Sequence, residues 1–222
     1  MELRKKSILI SLVIGDGCIT EQRKTIKGKT HTYANFEVTH SYKQKEYIEW
    51  KANLCKSITG NKCNVKSKIV KERLICEKST PELQAYRFTC CNKYFRILRK
   101  WLYPQGKKIL SKKYISYLDA QGLAIWYMDD GSTYINKNGK TCFSCEISTH
   151  VPEIDALELI DLFKEKWGIK FALHKKAENQ YNIRCYTKEA YKFIQLIKPF
   201  VPQCMDYKVI VPKYYNQECA AS

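Results

Sequence analysis

Two apolar segments of helical length, each ending in an aspartate followed by a glycine, restrict the fold of this chain most strongly. The first is Leu9–Gly17 (LISLVIGDG) and the second is Leu123–Gly131 (LAIWYMDDG). A carboxylate at the C-terminal end of a helix faces the negative end of the helix dipole, so it costs stability unless a cation lies beside it. Asp16 and Asp130 are 114 positions apart. A repeated segment at this spacing indicates a duplicated structural unit.

The segments that follow the two helices repeat the same order of elements. Ala34, Phe36 and Val38 alternate with polar residues in the way typical of a strand with one buried face. Helices are predicted at 3–14, 43–58, 94–102, 119–130, 152–167 and 189–197. Strands are predicted at 19–27, 33–39, 63–70, 85–91, 140–149, 169–176 and 180–187, with hairpin turns at 27–29 and 136–139. The prediction is an α+β fold of two pseudo-symmetric αββαββα halves (1–104 and 119–215), joined by a basic linker (105–118) and followed by a tail (216–222).

The charge of the chain favours a nucleic-acid partner. It carries 39 Lys and Arg against 22 Asp and Glu, a net charge of +17, and 16 Tyr among these basic residues. A globular chain of this composition most often binds nucleic acid. Residues 1–116 hold 26 basic and 9 acidic residues, whereas residues 117–222 hold 13 of each. Attraction to phosphates is therefore predicted to be concentrated in the first half.

The cysteines, histidines and apolar runs exclude other classes. The 11 cysteines are odd in number and include the adjacent pair Cys90–Cys91, so free thiols in a reducing intracellular compartment are expected. The Cys142-x-x-Cys145 spacing has no second pair and is not interpreted as a zinc site. The four histidines show no metal-ligand spacing. No apolar run approaches membrane-spanning length, so no membrane partner is expected.

The two opening segments resemble the paired signature of the LAGLIDADG homing endonucleases, of the monomeric two-motif type. The second copy is the more specific one, and the first is degenerate. The chain is similar to the kind represented by the mitochondrial omega-intron endonuclease through Trp126–Gly131 and through Pro202–Lys208 (PQCMDYK). The resemblance implies that the motif helices pack side by side at the interface of the halves. The small residues Ser11 and Gly15 suit that packing, whereas Ile125 and Asp129 at the corresponding positions depart from the consensus.

The resemblance also implies a metal-dependent active site. Asp16 and Asp130 would project from the helix ends into one site, with Gly15 and Asp129 as further candidate metal ligands. The bound cation would be Mg²⁺, with Mn²⁺ as an alternative, because such cations relieve repulsion between close carboxylates. Read alone, Asp16–Gly17 is more typical of an ordinary turn that ends a helix, and the repeat at Asp130 is what favours a metal ligand. Asp130 rather than Asp129 aligns with the last aspartate of the signature.

Basic residues beside the metals orient water or the phosphate in this family. The matching positions here are Lys208 and Lys108, with Lys107 as the alternative to Lys108. Any lysine in so basic a chain also fits a solvated surface or a phosphate contact.

Two four-stranded antiparallel sheets would form a saddle over the DNA major groove. Strand parity and side-chain chemistry select candidate base-reading positions, although an exposed strand face is polar in any protein. These candidates are Arg23, Asn35, Glu37, Lys66, Lys68, Arg87, Tyr134, Asn136, Glu146, Lys170, His174, Asn182 and Arg184.

The function that the resemblance implies is site-specific cleavage of double-stranded DNA at a long asymmetric target by a monomer. By analogy with the family, it would cut across the minor groove and leave short 3′ overhangs. An intron-encoded origin is expected, with an intein origin less so, in a mitochondrion, a plastid or a bacterial or phage cytoplasm. An RNA maturase that binds its host intron, and a DNA-binding regulator with an inactive site, are the alternatives. Both acids and Lys208 are present, which favours the nuclease over the regulator.

Overall fold

The chain folds into two compact units with one four-stranded sheet each. In the computed structural model, residues 2–70, 73–75, 78–80, 83–135 and 143–212 are described. Residues 12–108 form the first-sheet unit, and residues 1–11 with 109–222 form the second-sheet unit. Helix α1 (Leu3–Ile14) crosses this division. The predicted boundaries at 104 and 118 stay a prediction.

The first-sheet unit repeats the predicted order with one additional hairpin. Its sheet is antiparallel, in the order β1-β2-β6-β3, and β4 pairs only with β5. Its elements are β1 (Cys18–Ile26), β2 (Lys29–Ser41), α2 (Lys45–Thr59), β3 (Lys66–Val70), β4 (Arg73–Ile75), β5 (Lys78–Thr80), β6 (Leu83–Cys91) and α3 (Lys93–Leu102).

Local sequence accounts for the turns and the core of this unit. Lys27 and Gly28 both have positive φ (49° and 75°), as the two central residues of a tight hairpin turn require. Every second residue of β2 from Ala34 to His40 is buried. Phe36 stacks on Phe95 of α3 with ring centroids 4.4 Å apart. The other face of β2 is therefore the polar, outer face of the sheet.

The second-sheet unit has the same sheet order, β7-β8-β10-β9. A short helix, α4 (Lys112–Ile115), lies within the segment predicted as linker. The remaining elements are α5 (Ala120–Asp130), β7 (Gly131–Ile135), β8 (Phe143–Val151), α6 (Glu153–Trp167), β9 (Ala172–Ala177), β10 (Gln180–Tyr186), α7 (Thr187–Ile197) and two 3₁₀ turns (Lys198–Phe200 and Gln203–Lys208).

An aromatic cluster joins the helices of this unit to its sheet. Phe163 of α6 lies 4.5 Å from Phe171 between ring centroids, and Phe193 of α7 contacts both Phe171 (5.5 Å) and Tyr127 of α5 (5.1 Å). All four side chains are at most 6% exposed. Burial of aromatic rings of this size dominates the stability of such a core.

The N-terminal part of α1 packs closely against α5. Asp119 caps α5 by accepting from Gly122 N (2.8 Å), and its carboxylate also accepts from Ser7 Oγ (2.7 Å). A Cβ atom at Gly122 would lie 2.2 Å from Ser7 Oγ and 2.8 Å from Ser11 Oγ. The two helices therefore approach closely because a glycine faces two serines.

This contact corrects one expectation about the small residues. In the motif alignment, Ile125 and Asp129 occupy the positions that correspond to Ser11 and Gly15. The small residue of α5 that faces Ser7 and Ser11 of α1 is Gly122, which lies one turn before Ile125. The departure from consensus at Ile125 therefore does not loosen the contact, because the small residue lies earlier in the helix.

The predicted secondary structure is confirmed for the described ranges. Observed bounds differ from predicted ones by a few residues at most element ends, and the predicted α+β class with two four-stranded antiparallel sheets is correct. The predicted turn at 136–139 and the start of the predicted strand at 140 lie outside the described residues. Each helix within those ranges is too short or too polar to cross a bilayer.

Candidate active site and nucleic-acid interface

Lys108 caps the end of the first motif helix. Its Nζ donates to the carbonyl oxygens of Val13 (3.1 Å), Gly15 (2.6 Å) and Gly17 (3.2 Å). These carbonyls carry the negative end of the helix dipole, so an ammonium group here is favourable. The exposed Asp16 lies within the same turn. Lys108 therefore places an ammonium group at the helix end that carries this carboxylate.

Lys208 makes the corresponding contact at the second motif. Its Nζ donates to the carbonyl oxygen of Gly131 (2.6 Å), and its own carbonyl accepts from Thr133 Oγ1. Each motif helix therefore ends on the ammonium group of a lysine distant in sequence. Of the two alternatives Lys107 and Lys108, Lys108 makes this contact.

The carboxylate of Asp130 is oriented by its own helix. Trp126, one turn earlier and fully buried, donates from Nε1 to Asp130 Oδ2 at 3.1 Å. Gly131 permits the chain to leave the helix here, because a Cβ atom would lie 2.1 Å from Tyr127 Cδ2 and 2.3 Å from Tyr127 O. The tryptophan and the glycine of the motif thus both serve to present Asp130.

Lys51 and His40 form a buried polar pair next to Asp16. This pair was not predicted from the sequence. Lys51 of α2 is fully buried, and its Nζ lies 3.1 Å from Nε2 of His40, which is 5% exposed. An ammonium group only donates, so Nε2 accepts and the ring proton lies on Nδ1. Nδ1 lies 3.2 Å from Gln44 Oε1 and 3.6 Å from Asp16 Oδ2. The imidazole N–H therefore donates to Gln44, and the Asp16 carboxylate lies just beyond hydrogen-bond distance of the same nitrogen.

The signal for this pair was present in the sequence. Lys51 falls on the apolar side of α2, in line with Tyr47, Ile48 and Cys55. A lysine on the buried side of an amphipathic helix requires a polar partner, since an unpaired buried ammonium is costly. The spacing of α2 thus indicated an internal partner for Lys51 but could not identify it.

A buried glutamate organises the outer face of the second sheet. Glu146 of β8 is 2% exposed. Burial alone would raise its pKa, but hydrogen bonds from Asn182 and Arg184, and then Lys176, outweigh burial and lower the pKa to about 2. The donors that surround its carboxylate are Asn182 Nδ2 (2.6 Å), Arg184 Nε (2.8 Å) and Nη2, His174 Nδ1 (2.8 Å) and Lys176 Nζ (3.2 Å).

The first sheet has a more exposed version of the same arrangement. Glu37 of β2 accepts from Arg87 Nη1 at 3.2 Å and lies 3.8 Å from Lys68 Nζ. In both sheets a glutamate of the second strand in sheet order binds an arginine of the third strand. Glu37 and Glu146 therefore have equivalent arginine neighbours in the two sheets.

Two of the predicted base-reading positions are corrected. Arg23 of β1 lies four residues after the buried Ile19, so the two side chains are on the same face of the strand. Their partners in β2, Thr32 and Phe36, are likewise on one face, which is the core side of the sheet. Asn182 is fully buried at a register shift between Tyr181 and Ile183, and its Oδ1 accepts from the backbone N–H groups of residues 149 and 150. Neither residue belongs to an exposed outer face.

The other predicted positions lie on or beside the outer faces. Asn35 and Lys66 follow the parity of Glu37, and Tyr134 follows that of Glu146. The guanidinium of Arg184 lies 4.7 Å from the ring centroid of Tyr134. Lys170 is exposed and precedes β9, whereas Asn136 lies outside the described residues. Lys176, which was not predicted, joins the outer face at the parity of His174.

The donors at the helix ends suit a hard divalent cation. The first end offers the Asp16 carboxylate and the Gly15 carbonyl, and the second offers the carboxylates of Asp129 and Asp130. Mg²⁺ and Mn²⁺ prefer oxygen donors of this kind. The residues present therefore fit the expected metal. The convergence of Asp16 and Asp130 on one site stays a prediction, since the two acids belong to different units.

Comparison with known proteins matches most of the chain to one family. The model of the LAGLIDADG DNA endonuclease family matches residues 6–193. Protein RecA of Mycolicibacterium chitae is 23% identical over 96% of the chain, and the match covers 48% of that protein. The chain thus spans about half the length of this relative. The cytochrome b mRNA maturase bI2 of Debaryomyces hansenii is 28% identical over 60% of the chain and 54% of its own length.

A solved structure supports the fold across both halves. The homing endonuclease I-WcaI bound to its DNA recognition sequence superimposes with a TM-score of 0.68 at 22% identity, over 96% of this chain and 89% of that one. At this identity the likeness concerns the fold alone.

Proposed function

The chain belongs to the LAGLIDADG DNA endonuclease family, and on that premise we propose that it is a site-specific homing endonuclease. It would hydrolyse one phosphodiester bond in each strand of a long, asymmetric double-stranded DNA target. The proposal includes an intron-encoded origin, action as a monomer and a reducing intracellular compartment.

One observation carries this proposal. Each motif helix ends on a lysine ammonium bound to a glycine carbonyl that is adjacent in sequence to an aspartate: Lys108 binds Gly15 O, before Asp16, and Lys208 binds Gly131 O, after Asp130. A structural helix cap needs the lysine but not the acid, because the acid opposes the helix dipole. Phosphodiester hydrolysis requires a carboxylate that binds the metal and a cationic group that stabilises the phosphate charge. Both helix ends provide this combination.

The residues at each end would have distinct roles. Asp16 and Asp130 would hold Mg²⁺ or Mn²⁺, with Gly15 O and Asp129 as additional oxygen donors. The bound cation would lower the pKa of a water molecule and neutralise phosphate charge. Trp126 would fix the rotamer of Asp130 through its N–H group.

The amino groups of Lys108 and Lys208 are held at backbone carbonyls, so they would be in place before DNA binds. In that position they would stabilise the phosphate as negative charge develops.

The outer faces of the two sheets would contact the target DNA. Arg87 and Arg184 are the side chains best suited to read guanine in the major groove. Both are held by a glutamate, which restricts their rotamers in the absence of DNA. A restrained arginine loses less conformational entropy on binding.

The test is cleavage of a plasmid that carries the intron-less allele of the host locus. Wild-type protein with Mg²⁺ should linearise it. Asp130→Asn should abolish linearisation, because the amide loses the charge that binds the cation, yet should retain DNA affinity in Ca²⁺. Asp161→Asn, on the exposed side of α6, is the matched control and should cleave like wild type.

The result that contradicts the proposal is equally clear. Linearisation that persists in both Asp16→Asn and Asp130→Asn would remove the acids from the mechanism. Absence of any cleavage by a folded wild-type protein that binds the locus tightly would favour the DNA-binding regulator.

RNA maturase activity is the second candidate, because the chain is similar to maturase bI2 over 60% of its length. A maturase would bind its host intron RNA without a need for Mg²⁺ at Asp16 or Asp130. A splicing assay with the host intron measures this directly. Splicing that is stimulated equally by wild type and Asp130→Asn, without DNA cleavage by either, would favour the maturase over the nuclease.

A further inference from the structure

Three buried thiols of the first-sheet unit meet in its interior. Cys55 lies on α2, Cys63 lies in the loop after α2, and Cys90 lies on β6. Their Sγ atoms all lie within 4.8 Å of one another. The three residues are 0%, 7% and 2% exposed, respectively. We call these three residues the thiol cluster.

Hydrogen bonds hold the loop that brings the third thiol to the cluster. Asn92 donates from Nδ2 to Thr59 O (3.2 Å) and to Asn61 Oδ1 (2.6 Å). Asn61 in turn donates from Nδ2 to Cys91 O at 3.1 Å. These hydrogen bonds hold the loop after α2 against the end of β6. The three thiols are therefore preorganised.

A threonine hydroxyl adjoins the cluster, with Thr59 Oγ1 3.7 Å from Cys90 Sγ. A thiolate is the form of cysteine that binds metal, so a cation bound here would stabilise the deprotonated thiols and release their protons.

We propose that Cys55, Cys63 and Cys90 form a site for a thiophilic d¹⁰ cation, Zn²⁺ or Cu⁺. Sulfur ligands select these soft cations over the Mg²⁺ or Mn²⁺ expected at the motif acids. Three thiolates complete a trigonal Cu⁺ site. Zn²⁺ prefers four ligands, so three thiolates would leave one position for a water molecule.

A bound cation would join three elements of the sheet unit. It would link α2, the loop after it and β6, where the described side chains otherwise meet through packing and hydrogen bonds. Such a link stabilises the folded state because the unfolded chain does not present the three ligands together. The site is independent of the proposed nuclease function, so either proposal can fail while the other holds.

The experiment measures metal binding by the full chain, reduced and stripped of metal. Zn²⁺ and Cu⁺ are titrated separately in competition with a chromophoric chelator for each ion, and Co²⁺ serves as a spectroscopic probe. We expect one equivalent of Zn²⁺ or Cu⁺, a sulfur-to-cobalt charge-transfer band, and a melting temperature that rises with the bound ion.

Cys90→Ser and Cys91→Ser form a matched pair of variants. Cys91 is adjacent in sequence but exposed, so its loss should leave binding unchanged. Cys90→Ser should weaken binding by more than the roughly 10- to 100-fold that loss of a second-shell partner costs. Cys55→Ser provides the same readout from a different element, and circular dichroism shows whether each variant is folded.

Several results would overturn the proposal. These are the absence of stoichiometric binding by the reduced wild type, equal binding by Cys90→Ser and Cys91→Ser, or a cobalt spectrum without sulfur charge transfer. A Cys55–Cys90 or Cys63–Cys90 disulfide that forms readily in air and leaves no metal-binding state would assign the cluster to redox chemistry instead.

Discussion

Replacement of Glu146 by glutamine tests how the outer face of the second sheet is held together. The carboxylate is 2% exposed and accepts hydrogen bonds from Asn182 and Arg184, with Lys176 at 3.2 Å. Glutamine keeps the size of the side chain and removes its charge. Arg184 would then be partly buried beside a neutral amide, and the charge-assisted bonds that are the strongest in the cluster would be lost.

The expected magnitude follows from the pKa of Glu146, which lies at about 2 against an ordinary value of 4.5. This difference corresponds to about 3 kcal/mol of folding free energy at pH 7. Because the pKa is lowered in the folded state, the contribution is complete above pH 4.5 and is lost as the pH falls towards 2. At pH 3 about 1.4 kcal/mol should remain, and below pH 2 almost none.

The assay is urea denaturation of wild type and Glu146→Gln between pH 7 and pH 3. The variant should be less stable by about 2–3 kcal/mol at pH 7, and the difference should shrink as the pH falls below 4.5. Glu37→Gln is the matched control. Its carboxylate is 30% exposed, so water screens its pairs with Arg87 and Lys68 and the cost should be smaller. A difference for Glu146→Gln that is constant from pH 7 to pH 3 would refute the electrostatic explanation.

Three further substitutions test the packing and the motif acids. Trp126→Phe removes the N–H donor to Asp130, so single-turnover cleavage should slow by about 10- to 100-fold while DNA affinity in Ca²⁺ is retained; an unchanged rate would contradict this role. Gly122→Ala places a methyl group against Ser7 Oγ and should lower the free energy of unfolding by about 1–3 kcal/mol in urea; an unchanged midpoint would show that the helices separate freely. Lys51→Met keeps the buried volume but removes the ammonium that sets the histidine tautomer. His40 Nε2 then loses its Lys51 donor, so the free energy of unfolding should fall by about 1–3 kcal/mol and cleavage by the folded variant should slow; wild-type cleavage by the folded variant would indicate a purely structural lysine.

Sequence periodicity was sufficient to predict the longer helices and the order of the sheet strands, but not the β4–β5 hairpin or α4. Strand alternation in β2 and the apolar motif helices determined which faces are buried, and this is why the sheets were predicted correctly. Arg23 was assigned to the wrong face because β1 extends beyond the core. Residues on both faces of that part of the strand are exposed, so no pattern of apolar and polar residues shows which face is which. Asn182 was misassigned because a register shift changes its position, and single-sequence parity does not detect such shifts.

The candidate site was only partly predictable, because the contacts that form it join residues distant in sequence. The motif alignment was sufficient to select Lys208 and to limit the other lysine to Lys107 or Lys108. It could not assign His40 to Asp16 or Trp126 to Asp130, since these depend on tertiary structure and on the rotamer of the indole. The thiol cluster was hidden for the same reason: its three cysteines share no metal-binding spacing and meet only in the folded unit.

The duplicated halves keep the backbone cap of the motif helix but differ in what supports each acid. Both helices end on a lysine ammonium, a contact to carbonyl oxygens that does not depend on the neighbouring side chains. Asp16, by contrast, faces the imidazole of His40, whereas Asp130 accepts from an indole N–H of its own helix. The imidazole nitrogen lies 3.6 Å from Asp16 Oδ2, beyond hydrogen-bond distance, whereas the indole nitrogen lies 3.1 Å from Asp130 Oδ2. Identical substitutions at Asp16 and Asp130 are therefore expected to have unequal effects on cleavage, because the two halves share a fold but the two acids have different neighbours.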